Sequence, residues 1–157
     1  MKIPVFEKYI EGLIERSTIE VPSWNIEKAR GNGKSKATGW NYVDGCMILA
    51  MLEIYRATGE KKYYEFADAF IDYRVAEDGT ITGYRVEEYN IDSVNAGKTL
   101  FALYEMNDKE KYRKAIDLIY SQLQTHPRTP ENNFWHKQIY PNQVWLDGLY
   151  MGQPFYM

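Results

Sequence analysis

Cysteine is almost missing from this chain: Cys46 is the only one in 157 residues. An intrachain disulfide is therefore excluded, and a reducing compartment is expected. Histidine is nearly as scarce, with His126 and His136 alone. No group of His, Cys and Asp has the sequence spacing of a ligand set, so neither a metal nor a cofactor is expected. Long hydrophobic runs are missing as well. No segment approaches the roughly 20 apolar residues of a membrane span. Met1 to Arg16 mixes Lys2, Glu7, Lys8, Glu11, Glu15 and Arg16 into its apolar positions, which is not the pattern of a signal peptide. The simplest location is cytoplasmic. Charge of one sign is also lacking: a net charge of −3 gives no general pull toward nucleic acid or an anionic membrane, and neither is expected as a partner.

What is present is ordinary globular material with an excess of rings. Hydrophobic residues make up 45% and charged residues 26%, which fits one compact domain over residues 1–157. Aromatics reach 15%, including 14 tyrosines and 4 tryptophans.

The apolar pattern is helical throughout. Phe6, Tyr9, Ile10, Leu13 and Ile14 follow an amphipathic repeat and predict a helix facing inward along that stripe. Lys28 to Gly39 is polar and glycine-rich and reads as a loop, and its Lys28, Arg30, Lys34 and Lys36 read as solvated charges. Cys46 to Tyr55 is apolar on nearly every side, so protein should surround it. Gly59 is placed to close that helix in the left-handed conformation. The next helix is two-sided, with Tyr63, Phe66, Ala67 and Phe70 on one face. Asp78 to Arg85 suggests a small hairpin. The alternation then returns: Ala96 to Met106 reads as enclosed, and Lys109 to Gln124 as amphipathic, with Tyr112, Ala115, Ile116, Ile119 and Leu123 inward. A loop from His126 to Gln143 leads to a last apolar helix near Leu146. His126, at a helix end, reads as a C-terminal cap or surface residue.

Two stretches align at an offset of 49 residues, Tyr55 with Tyr104 and Tyr63 with Tyr112. A period of this size marks stacked repeats, each too small to bury itself alone. Pairs of one enclosed and one amphipathic helix are satisfied by two rings of helices, so the fold class is all-α, a helical-hairpin repeat.

Each enclosed helix is preceded by a similar segment: Trp40-Asn41-Tyr42-Val43-Asp44, then Tyr89-Asn90-Ile91-Asp92, then Tyr140 through Trp145-Leu146-Asp147. In a ring these starts converge at one end. Aromatic faces stack on sugar rings, while carboxylates and amides bind hydroxyls or move protons, so the set suits a carbohydrate site. Asp and Asn are also favoured caps of helix N-termini, and that alternative stays open for each carboxylate.

The run from Pro127-Arg128-Thr129 through Phe134-Trp135-His136-Lys137 and Tyr140-Pro141 to Trp145-Leu146-Asp147-Gly148-Leu149-Tyr150-Met151 resembles glycoside hydrolase family 105, the unsaturated rhamnogalacturonyl hydrolases. The resemblance covers about residues 37 to 157. It implies the N-terminal half of an (α/α)6 toroid acting on a 4,5-unsaturated uronyl oligosaccharide from pectin. Asp147 matches the family's acid, and Asp92 the aspartate that assists in substrate binding. His136, Lys137 and Tyr140 match the loop bordering the sugar, and Trp145 and Met151 match site-lining positions. The Trp40 and Tyr42 segment falls at another site element, with Asp44 beside it. The acid protonates C4 of an enol ether and water adds at C5. Such an acid must keep its proton near neutral pH, so Asp147 is expected to be enclosed among Trp and Tyr rings with Asp92 close by. About three of six helix pairs are present, which implies self-association or a missing C-terminal half. The alternative function is a non-catalytic carbohydrate-binding module or an inactive fragment.

Overall fold

The computed structural model describes residues 4–24 and 39–157. The basic segment with Lys28, Arg30, Lys34 and Lys36 lies outside the described residues. The described residues form α1 (Pro4–Glu15), α2 (Tyr42–Thr58), α3 (Lys61–Arg74), α4 (Ile91–Asn107), α5 (Glu110–Thr125) and α6 (Leu146–Tyr156), with a single 3-10 turn at Val86–Glu88. No strand forms among them. The segment after α3 makes one antiparallel bridge, Val75 to Ile81, in place of the expected hairpin.

The 49-residue period is a structural repeat down to its caps. Gly59 and Asp108 both end an inner helix in the left-handed region, and their N–H groups donate to Tyr55 and Tyr104 respectively. That geometry satisfies carbonyls which a helix end leaves without partners. Tyr63 and Tyr112, one turn into the following helices, are both fully buried. Asn41 and Asn90 cap α2 and α4 in the same way, each accepting through its side chain from a backbone N–H in the first turn.

Helices α2, α4 and α6 lie side by side, with α3 against α2 and α5 against α4. Helix α4 is flanked on both sides and is buried at nearly every position from Ile91 to Leu103. Each of its fully buried Val and Leu side chains contributes roughly 1.5–3 kcal/mol. Gly45 makes the α2–α4 contact close: a Cβ there would come within 2.6 Å of Ala96 Cα. On the outer layer Lys109 and Lys111 of the α5 start pair with Asp68 and Asp72 of α3. Burial works to raise the Asp72 carboxyl, but bonds from the two lysines outweigh it and hold that carboxyl below its usual value.

Two expectations about burial need correction. Only Ile10 and Leu13 of α1 are buried, whereas Phe6 and Tyr9 are exposed. Helix α1 packs beside Lys62 and Tyr63 at the start of α3, and this contact leaves Phe6 and Tyr9 uncovered. Helix α6 is not enclosed. It buries Met151, Gly152 and Phe155 against α4, while Leu146 (85%), Leu149 and Tyr150 face out.

Candidate active site

The N-terminal ends of α4 and α6 stand next to each other, and the loop from His126 to Trp145 folds over them. Asp92 is the second residue of α4 after its Asn90 cap, and Asp147 holds the same position in α6 after Trp145. Equal placement aims both carboxylates the same way. Because Asn90 does the capping through its own side chain, Asp92 is left free for another role.

That role involves the loop. Lys137 Nζ lies 2.7 Å from Asp92 Oδ2, and His136 Nε2 lies 3.3 Å from Asp92 Oδ1. The loop is registered on α4 through its backbone: Ile91 N–H donates to the His136 carbonyl, Gln138 N–H to that of Tyr89, and His136 N–H to that of Gln143. The His136 ring stacks on Trp145 at 4.1 Å, and Trp145 stacks on Tyr140 at 5.3 Å. His136 is fully enclosed, yet neither ring nitrogen makes a hydrogen bond. Gly148 leaves room for it, since a Cβ there would sit 3.3 Å from Nδ1. One oxygen of Asp92, one of Asp147 and a ring nitrogen of His136 all lie within 4.8 Å of one another.

The structure thus brings together Asp92, Asp147, His136, Lys137, Tyr140 and Trp145. It does not enclose Asp147, which is exposed, because among the described residues α6 packs chiefly against α4. The expectation of a buried acid is corrected on that point. Met151 sits a turn further along α6 and is buried.

The first segment behaves differently. Asp44 is the third residue after its Asn41 cap, one place later than Asp92 and Asp147 in their helices. One residue is about 100° of turn, so its side chain points elsewhere. It is buried and accepts from Trp24 Nε1 and Asn41 Nδ2, both at 2.7 Å. Trp40 is buried too, and its indole N–H donates to the Ser93 carbonyl at 2.7 Å. These two residues join segments of the core. Tyr42 is exposed, and its carbonyl accepts from Asn95 Nδ2.

His126, read as a cap or surface residue, is buried at the end of α5. Tyr84 O–H donates to Gln122 Oε1, whose Nε2 donates to the Asn90 carbonyl and approaches His126 Nδ1 at 3.3 Å. His126 Nε2 faces the Trp135 carbonyl at 2.8 Å. A carbonyl only accepts, so Nε2 carries the proton and Nδ1 receives the Gln122 amide. Burial drives the imidazole down to about 4, against a smaller opposing effect of the Trp135 bond. This chain of bonds braces the Asn90 cap and the segment carrying His136 and Lys137. Sequence reasoning missed it because Gln122 carries no motif.

Lys98 was also missed. Its Nζ donates to the Tyr150 carbonyl at 2.9 Å and sits over the Tyr150 ring, tying α4 to α6. A lysine inside a stretch that reads as enclosed was the available signal. Burial holds its ammonium below the usual value.

A family model described as Glycosyl Hydrolase Family 88 matches residues 14–157. A solved structure from C. acetobutylicum ATCC 824, described as a glycoside hydrolase from family 105, is 41% identical with a TM-score of 0.79. The match covers 96% of this chain and 38% of that one, so the chain spans well under half of that relative's length. The resemblance carried by the Trp145 to Met151 run is borne out, and the fold is a part of an (α/α)6 toroid.

Proposed function

Because the chain belongs to glycosyl hydrolase family 88, we propose that its carboxylate pair serves the cleavage of unsaturated uronyl-rhamnose oligosaccharides of the kind lyases leave from pectin. The observation that carries this reading is the pairing of Asp92 and Asp147 at matching positions of adjacent inner helices, beside a lysine and a stack of rings. Asp147 is the acid, and its exposed carboxyl is open to a substrate arriving along the ring axis. It gives its proton to C4 of the enol ether. Water adds at C5 and returns a proton to the carboxylate. The resulting hemiketal opens and releases the aglycone. Asp92, held by Lys137, accepts sugar hydroxyl groups, and the outer face of the Tyr140–Trp145 stack borders the ring. An open groove lined by Arg85, Glu88, Asn90 and Ile139 continues past Lys137 and gives room for the rest of the oligosaccharide.

The test is turnover of an unsaturated rhamnogalacturonan disaccharide, followed as loss of the ultraviolet absorbance of its double bond. Turnover that disappears in Asp147→Asn is the expected result. A second reading, an oligosaccharide-binding module without turnover, draws on the exposure of Asp147. It predicts saturable binding by calorimetry, unchanged in Asp147→Asn, and no loss of absorbance.

A further inference from the structure

We propose that Asp92, His136 and Asp147 form a three-ligand site for a zinc-class divalent cation, and that filling it blocks the acid. Sequence spacing hides this set, because its members come from α4, the loop and α6. Folding puts one donor atom of each within 4.8 Å of the others.

His136 carries the argument beyond a pair of acids. Its side chain is fully buried, neither nitrogen has a hydrogen-bond partner, and Nε2 lies 3.3 Å from Asp92 Oδ1. A buried polar atom without a partner is costly and calls for a reason. The 3.3 Å between Nε2 and Asp92 Oδ1 is not aligned as a hydrogen bond. It does match the edge of a tetrahedron whose centre lies about 2.0–2.2 Å from each ligand, the bond length of zinc to imidazole or carboxylate. Two ligands of one ion face it together and do not face each other.

The surroundings are those of a prepared site. Stacking on Trp145 and two backbone hydrogen bonds fix the His136 ring and main chain. Lys137 occupies Oδ2 of Asp92 and leaves Oδ1 to the ion, as supporting partners do for metal-binding carboxylates. The same ammonium also opposes a cation, which limits affinity. Asp147 is exposed, so the ion keeps a position open to water. One imidazole with two carboxylates suits Zn2+ and Co2+, whereas Mg2+ prefers oxygen ligands throughout. Metal on Asp147 takes the oxygen that must carry the proton, so the ion inhibits. That consequence rests on the function proposed above, whereas the binding does not.

The experiment is calorimetric titration of the tag-free chain with ZnCl2, with Co2+ added in parallel to read the visible bands of a four-coordinate site. One ion per chain is expected, with at least tenfold weaker binding in both His136→Gln and Asp147→Asn. Asp147 is on the surface, so its variant keeps the test valid if the histidine variant fails to fold. Mg2+ at the same concentration should give no signal. No saturable zinc binding, zinc binding unchanged in Asp147→Asn, or equal binding of Mg2+ would overturn the site. Zinc binding as expected in a preparation that never turns over substrate leaves the site standing and counts against the hydrolase reading.

Discussion

His126 shows how a residue just outside the matching run supports the segment that carries the site. In the folded protein its imidazole stays neutral down to about pH 4, whereas in the unfolded chain it takes a proton near the ordinary 6.5. The folded pKa is the lower one, so the stability contribution is whole above about pH 6.5 and is lost as pH falls toward 4. The loss amounts to roughly 3 kcal/mol at most. A protonated Nδ1 would also face the Gln122 amide, donor against donor. Denaturant melts between pH 7 and 5 should show falling stability in the wild type and a flatter dependence in His126→Gln. An identical slope in the two proteins would remove His126 from the account. Asp44 makes the complementary point. Residue type and aromatic company placed it in the site, but a shift of one position along its helix turned it into the core.

At the scale of elements, the repeat was legible because its period is carried by buried tyrosines and by caps that serve every turn alike. The 49-residue match was visible in the letters around Tyr55 and Tyr104, and the paired left-handed caps at Gly59 and Asp108 are its physical form. What periodicity does not convey is which neighbours a helix has. Helix α4 is enclosed, and α6, equally apolar in sequence, is open. The closeness of α2 and α4 is likewise invisible until Gly45 is seen against Ala96. Gly45→Ala puts a methyl into backbone that cannot move aside, and should cost about 1–3 kcal/mol in a thermal melt. A melting temperature equal to that of the wild type would mean the two helices part easily.

At the scale of the whole molecule, the exposed apolar side of α6 and its approach loop stands out. Ile139 (73%), Val144, Trp145, Leu146, Leu149 and Tyr150 are all exposed along this loop and the first turns of α6, a density of apolar side chains that favours association. No helix among the described residues is long and apolar enough to cross a membrane. The 157-residue chain on its own should self-associate through it, and light scattering should report more than a monomer. A monodisperse monomer would contradict this. The candidate site borders the same face, which is why its chemistry was readable in the Trp145-Leu146-Asp147 run while the exposure of Asp147 was not. Enclosure is a property of neighbours. On the function proposed above, Asp147 delivers a proton to carbon and not to a leaving oxygen, and the direct measurement is the reaction in D2O with the product read by NMR. One deuterium at C4 and loss of the alkene signal are predicted, with no product from Asp147→Asn. A released sugar that keeps its double bond and carries no deuterium at C4 would contradict the account.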